Sequence, residues 1–204
     1  MADSRRIENL FATKLYRAQL AVGLNADLAK TCLSIAAEDR AGQRWAKKHG
    51  YRGYTSYASL DDLPTRASVF AELAAHLGRH VRQFAKALDF DLSRGSLRLD
   101  SLWINVMDEG GVHTGHIHPH SAISGTYYVT APRGASIIRF EDPRLPLMMA
   151  APPKRENARR ANLTFAAIQP KPGTLLLWES FVRHEVPLNG ARGKRISVSF
   201  NYAV

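Results

Sequence analysis

Residues 110–125 read GGVHTGHIHPHSAISG and hold four of the chain's eight histidines, His113, His116, His118 and His120. Imidazole is a good ligand for Fe, Zn, Cu or Ni. On a strand, side chains at i and i+2 share a face, with Cα atoms about 6–7 Å apart. His116 and His118 in HIH can therefore aim at one ion. Two imidazoles rarely suffice, so a third ligand must arrive from a distant segment. His184 is the only histidine after the cluster. It follows the apolar run GTLLLWES, a strand that can carry it back beside the pair. His113 and His120 flank the pair, and Pro119 interrupts strand alternation there; they read as loop histidines or as donors behind the ligands. His76 and His80 are four apart in a helical pattern and could share a metal, but no acidic residue completes a recognised motif, so they read as an exposed helix face.

A second constellation lies in KRISVSF. Alternation puts Ile196, Val198 and Phe200 on one face and Arg195, Ser197 and Ser199 on the other. An arginine projecting from a strand interior must meet an anion or carry a large desolvation cost. Its planar fork suits a carboxylate, and Ser197 adds a hydroxyl donor to the same group. A metal beside a carboxylate clamp is what an oxygenase needs when a keto acid chelates its iron.

These residues need a scaffold. After residue 95, short β-rich runs are separated by Gly, Pro and Asn: SLRLDSLWINVM, SGTYYVTAP, ASIIRFED, NLTFAAIQP, GTLLLWES and KRISVSFNYAV. Six or more close-spaced strands with no helical run among them predict an all-β sandwich or barrel. Before residue 95 the periodicity is helical. LNADLAKTCLSIAAEDRAGQRWAKK predicts one helix with Leu28, Cys32, Ile35 and Ala36 on a stripe, capped by Asn25 or Asp27. A second is predicted from about Pro64, with Val69, Leu73, Leu77, Val81, Phe84 and Leu88 at helical spacing. Between them, GYRGYTSYASLDDL is turn-rich and polar. The expected fold is mainly β with N-terminal helices (α+β): residues 1–95 form a helical extension packed on a β-core at 96–204. Trp103 and Trp178 read as core residues, Asn105 as a residue able to enter the barrel, and Asp142 in FEDPR as a turn residue paired with Arg144.

Taken in order, HxH, a distal His and R-x-S resemble the Fe(II)/2-oxoglutarate-dependent dioxygenases, whose fold is the double-stranded β-helix (jelly-roll, cupin-like). More narrowly, SLWINVMDEGG, HIHP..SAISGTYYV, FEDPR, GTLLLWESFVRHEVPLN and RISVSFN are similar to bacterial and phage 2OG-Fe(II) oxygenases without an assigned substrate. WESFVRHEV also resembles the corresponding strand of aspartyl/asparaginyl β-hydroxylases. The likeness covers roughly residues 100–204, with YTSYASLDDL weaker evidence upstream. It implies an oxidoreductase that uses Fe(II), 2-oxoglutarate and O2, hydroxylates an unidentified small molecule or protein side chain, and releases succinate and CO2. It implies His116 as the first iron ligand, His184 as the distal one, Arg195 and Ser197 on the far carboxylate of 2-oxoglutarate, and Tyr128 beside them. The wider superfamily carries HxD or HxE. Here His118 holds the acidic position, so the centre is either three-histidine or two-histidine with His118 nearby.

Composition bounds the alternatives. The net charge of +10 divides evenly, and its densest run is Lys154 to Arg160. Such an excess favours an acidic substrate or a nucleic acid, although no nucleic-acid motif accompanies it. A nucleic-acid oxidative demethylase on the same scaffold is therefore one alternative. A cupin-like metal-binding protein without turnover is another, against which Arg195 and Ser197 speak. No apolar run reaches the ~20 residues of a membrane span. The N-terminus lacks the apolar core of a secretory signal. With a lone cysteine, Cys32, placed in an apolar helical pattern, the expected compartment is the reducing cytoplasm.

Overall fold

The computed structural model describes residues 5–20 and 23–204. Among the described residues, ten strands form two antiparallel sheets. The larger has the order β1 (Leu15–Gln19), β8 (Thr174–Glu179), β5 (Ile123–Thr130), β10 (Arg195–Ala203), β3 (Arg98–Met107), β2 (Gly53–Thr55). The smaller has the order β4 (His113–His116), β9 (His184–Val186), β6 (Ile138–Glu141), β7 (Phe165–Ile168). This pair of sheets is the double-stranded β-helix. All six strand runs expected after residue 95 are present, and the N-terminal part adds β1 and β2 to the edges of the larger sheet.

Two apolar layers follow from strand alternation. One face of the larger sheet, with Ile196, Val198 and Phe200 from β10, packs under the helices through Leu28, Cys32, Leu73, Leu77, Val81 and Phe84. The opposite face turns toward the smaller sheet, where Tyr128, Ile138, Phe140, Ile168, Leu176 and Trp178 form a second cluster. Trp103 and Trp178 are both buried, as expected, and both also border the cavity described below.

The helices differ from expectation in how they are broken. The first run divides into α1 (Asn25–Glu38) and α2 (Arg40–Lys48), because the Asp39 carboxylate accepts hydrogen bonds from Ala41 N and Gly42 N, at 3.1 and 3.0 Å, and starts a new helix. Asn25 and Asp27 do not cap α1; Asn25 Oδ1 instead accepts from the Tyr127 hydroxyl at 2.5 Å. The second run divides into the single turn α3 (Leu63–Arg66) and α4 (Ser68–Ala87), with Ala67 in extended conformation between them. The buried stripe of α4 is Phe70, Leu73, Leu77, Val81, Phe84 and Ala85, while Val69 and Leu88 lie at its margin.

Candidate metal centre

β8 ends at Glu179, the chain turns through Ser180 to Arg183, and His184 opens β9. β9 pairs with β4 so that His184 stands opposite His116. His118 lies beyond the end of β4, and its backbone N–H donates to Ser180 O at 3.0 Å, tying its loop to the same turn. One ligand nitrogen from each of His116, His118 and His184 lies within 4.8 Å of the others.

The backbone chooses the tautomer of two of these rings. His116 Nδ1 lies 2.7 Å from Thr114 O, and His184 Nδ1 lies 3.0 Å from Val182 O. A carbonyl only accepts, so each Nδ1 donates, which leaves Nε2 as the ring atom able to face a metal. His118 Nε2 lies 3.3 Å from His184 Nε2, so these two ring nitrogens face one another across the site. Burial, reinforced by the neighbouring His116, pushes His184 down to about 3 and His118 down to about 4. Both rings are neutral at physiological pH, as a metal ligand must be. Three imidazoles converging on one point suit Fe(II).

Register orders the rest of the site along β10. Arg195 pairs with Met107, Ser197 with Asn105 and Tyr128, Ser199 with Trp103 and Thr126, and Asn201 with Ser101 and Ser124. Asn201 also reaches His118 and favours a proton on its ring. The polar row is closed by hydrogen bonds: Thr55 Oγ1 donates to Asn105 Oδ1 at 3.0 Å, and Asn105 Nδ2 donates to Ser199 Oγ at 3.1 Å. Arg195 is 2% exposed, its Nε has no hydrogen-bond partner, and its Cζ sits 5.1 Å from the centre of the Tyr128 ring. The Tyr128 hydroxyl is likewise buried without a partner. His116, His118, His184, Arg195, Ser197 and Tyr128 all line one cavity of about 400 Å³, and none of its lining residues is Asp, Glu or Lys. A buried guanidinium whose Nε has no partner, beside a buried phenol in a cavity lined by no Asp or Glu, is suited to meet a carboxylate.

The other flagged residues separate from this group. His120 is exposed, with φ of 67°. Asp142 pairs with Arg144 at 2.7 Å. His76 Nδ1 is bonded to Arg79 and His80 Nδ1 to the Tyr16 hydroxyl, both at 2.7 Å. His113, in contrast, lines the cavity, as do Tyr51, Thr55 and Tyr57 from the stretch read as polar turns. The three tyrosines of YRGYTSY, a β-type composition inside a turn-rich segment, are the signal that marks it.

Residues 101–201 match the family model described as "Putative 2OG-Fe(II) oxygenase". Among solved structures, the chain is similar to the non-heme α-ketoglutarate-dependent epimerase SnoN from nogalamycin biosynthesis, with TM-score 0.65 and 14% identity over 94% of this chain and 77% of that one. A Pseudomonas putida prolyl-4-hydroxylase aligns with TM-score 0.61 and 16% identity, over 94% and 92% of the two chains. HygX from Streptomyces hygroscopicus, solved with nickel and 2-oxoglutarate bound, aligns with TM-score 0.59 and 16% identity, over 94% and 83%. No curated protein matches the chain.

Proposed function

The chain belongs to the 2OG-Fe(II) oxygenases and is an oxidoreductase dependent on Fe(II), 2-oxoglutarate and O2, and from that premise we propose which of its residues do the work. His116, His118 and His184 hold the iron, as a three-histidine centre. Arg195 and Ser197 bind the far carboxylate of 2-oxoglutarate, and the Tyr128 hydroxyl donates to the same group. The observation that carries this reading is the joint presence, in one cavity, of three converging imidazoles and a buried guanidinium whose Nε has no partner. Bound iron, with the keto acid and O2, supplies the oxidising power for hydroxylation of a C–H bond while 2-oxoglutarate becomes succinate and CO2.

The chain's own contribution is placement and exclusion of water. Thr114 O and Val182 O keep the Nε2 atoms of His116 and His184 aimed inward. Arg195 fixes the cosubstrate by a two-point contact, which a lysine could not reproduce. Within this reading, residues 1–95 are an extension that completes the sheet of an oxygenase core at 96–204. The substrate is a small molecule or peptide side chain of acidic character, since the lining has no carboxylate to repel it or to hold a cation. Among the described residues no helix is long and apolar enough to cross a membrane. The buried Cys32, its thiol pushed up to about 12 by burial, supports placement in the cytoplasm.

The test is succinate release by anaerobically Fe(II)-loaded protein given 2-oxoglutarate and O2, beside His184→Ala. We expect slow uncoupled turnover in the wild type and loss of both iron binding and turnover in the variant. Wild-type protein that binds neither iron nor 2-oxoglutarate would remove the assignment.

A further inference from the structure

Two residues of the cavity have no part in the iron triad or the arginine clamp. His113 and His116 are three apart, which in a regular strand would send them to opposite faces. A register shift in β4 between them instead lets both line the cavity. Tyr51 lies two residues before β2, an edge strand of the larger sheet. Its hydroxyl lies 2.9 Å from His113 Nε2, and the rings meet edge-on at 80°. The bond therefore ties β4 to the segment that leads into β2. Register shows at which end: Gly53 pairs with Met107, and Met107 pairs with Arg195. The Arg195 charge bears on both His113 and Tyr51.

A proton count shows what the pair has to offer. Neutral His113 and Tyr51 hold one N–H and one O–H between them. Their mutual hydrogen bond uses one and leaves the other for the cavity that both side chains line. If the hydroxyl donates to Nε2, the His113 Nδ1–H is left over. If Nε2–H donates to the hydroxyl, the tyrosine proton is left over. Either way one donor remains, in the same cavity as the buried Arg195, whose Nε has no partner. One carboxylate satisfies both.

Resting on the keto-acid reading above, we propose that Tyr51 and His113 form the second jaw of the cosubstrate clamp, donating to the same far carboxylate that Arg195 meets and so selecting a dicarboxylate keto acid over a monocarboxylate. His113 touches the cosubstrate and Tyr51 positions it. This gives the N-terminal extension a direct role in cosubstrate choice.

The test uses Ni(II)-loaded full-length protein, which binds without turnover, titrated calorimetrically with 2-oxoglutarate and with pyruvate, which has no second carboxylate. His113→Ala should weaken 2-oxoglutarate about tenfold or more, the loss of one charge-assisted hydrogen bond. Its Ni(II) affinity and its weak pyruvate binding should not change. Tyr51→Phe should fall between wild type and His113→Ala. His113→Asn, whose amide restores a donor and keeps most of the volume, should recover most of the affinity; a purely structural role would not give that rescue. Equal loss of pyruvate and 2-oxoglutarate, or unchanged 2-oxoglutarate binding in all three variants, would overturn the proposal. Arg195→Met separates the two readings: if it weakens 2-oxoglutarate while the His113 variants do not, only the second jaw falls. If wild-type protein does not bind 2-oxoglutarate, both fall.

Discussion

At Thr114 and Val182 the backbone decides what kind of ligand two histidines can be. Each carbonyl takes an Nδ1 proton, which leaves Nε2 as the ring atom able to face a metal. Holding imidazoles neutral in a buried place has a consequence that is measurable in metal-free protein. Burial pushes His113, His118 and His184 from 6.5 to about 3, about 4 and about 3. The unfolded chain protonates these rings near 6.5, so below that value it binds more protons than the folded one. Stability is therefore full above pH 6.5 and falls as the pH drops toward 4. Each group adds up to about 1.4 kcal/mol per pH unit within the window. The thermal midpoint of the apo protein should drop between pH 7 and pH 5, and His113→Asn should make the dependence shallower. A midpoint that stays level over that range would show that the three rings are solvated.

At the scale of the element, β10 does two jobs by alternation. One face, with Ile196, Val198 and Phe200, serves the core under the helices; the other, with Arg195, Ser197 and Ser199, serves the cavity. The core face is tight where β5 crosses it. A Cβ on Gly125 would stand 2.4 Å from Phe200 Cζ and 2.7 Å from Leu177 Cδ2. Gly125→Ala should thus cost about 1–3 kcal/mol by overpacking, read as a lower urea midpoint, with Ni(II) affinity of the folded protein unchanged. The alternation of β10 was legible in the sequence, because nine residues give enough periods to read. The three-residue strands β2 and β9 give too few, and what makes them strands is the neighbour they pair with. The same reason hid Tyr51, whose contact with His113 spans 62 residues of chain. The convergence of His116, His118 and His184 could be anticipated because ligand type survives without geometry. The bulge that turns His113 inward could not, since nothing in HTGH distinguishes a regular strand from a shifted one.

For the molecule as a whole, the question is where its charge of +10 acts. The run from Lys154 to Arg160 lies in the exposed connection between β6 and β7. In the smaller sheet those strands occupy the end opposite β4, which carries His113 and His116. No residue of the run lines the cavity. Its basic side chains can act on a ligand only through the long-range field, which salt screens within about 8 Å at physiological ionic strength. Small-molecule and nucleic-acid substrates then make opposite demands on this loop. A nucleic acid would neutralise several phosphates against it, and affinity would fall steeply with salt. A small acid gripped in the cavity would not notice it. Replacing Lys154, Arg155, Arg159 and Arg160 with Ser should leave 2-oxoglutarate affinity unchanged and the stability within about 0.5 kcal/mol, as for exposed substitutions elsewhere. It should also abolish any duplex DNA retention seen at low salt. Turnover that survives these substitutions at physiological salt assigns the loop's charge to solubility and the chemistry to a small acidic substrate. Turnover that collapses with them, together with a steep salt dependence, would instead make the loop part of a nucleic-acid platform.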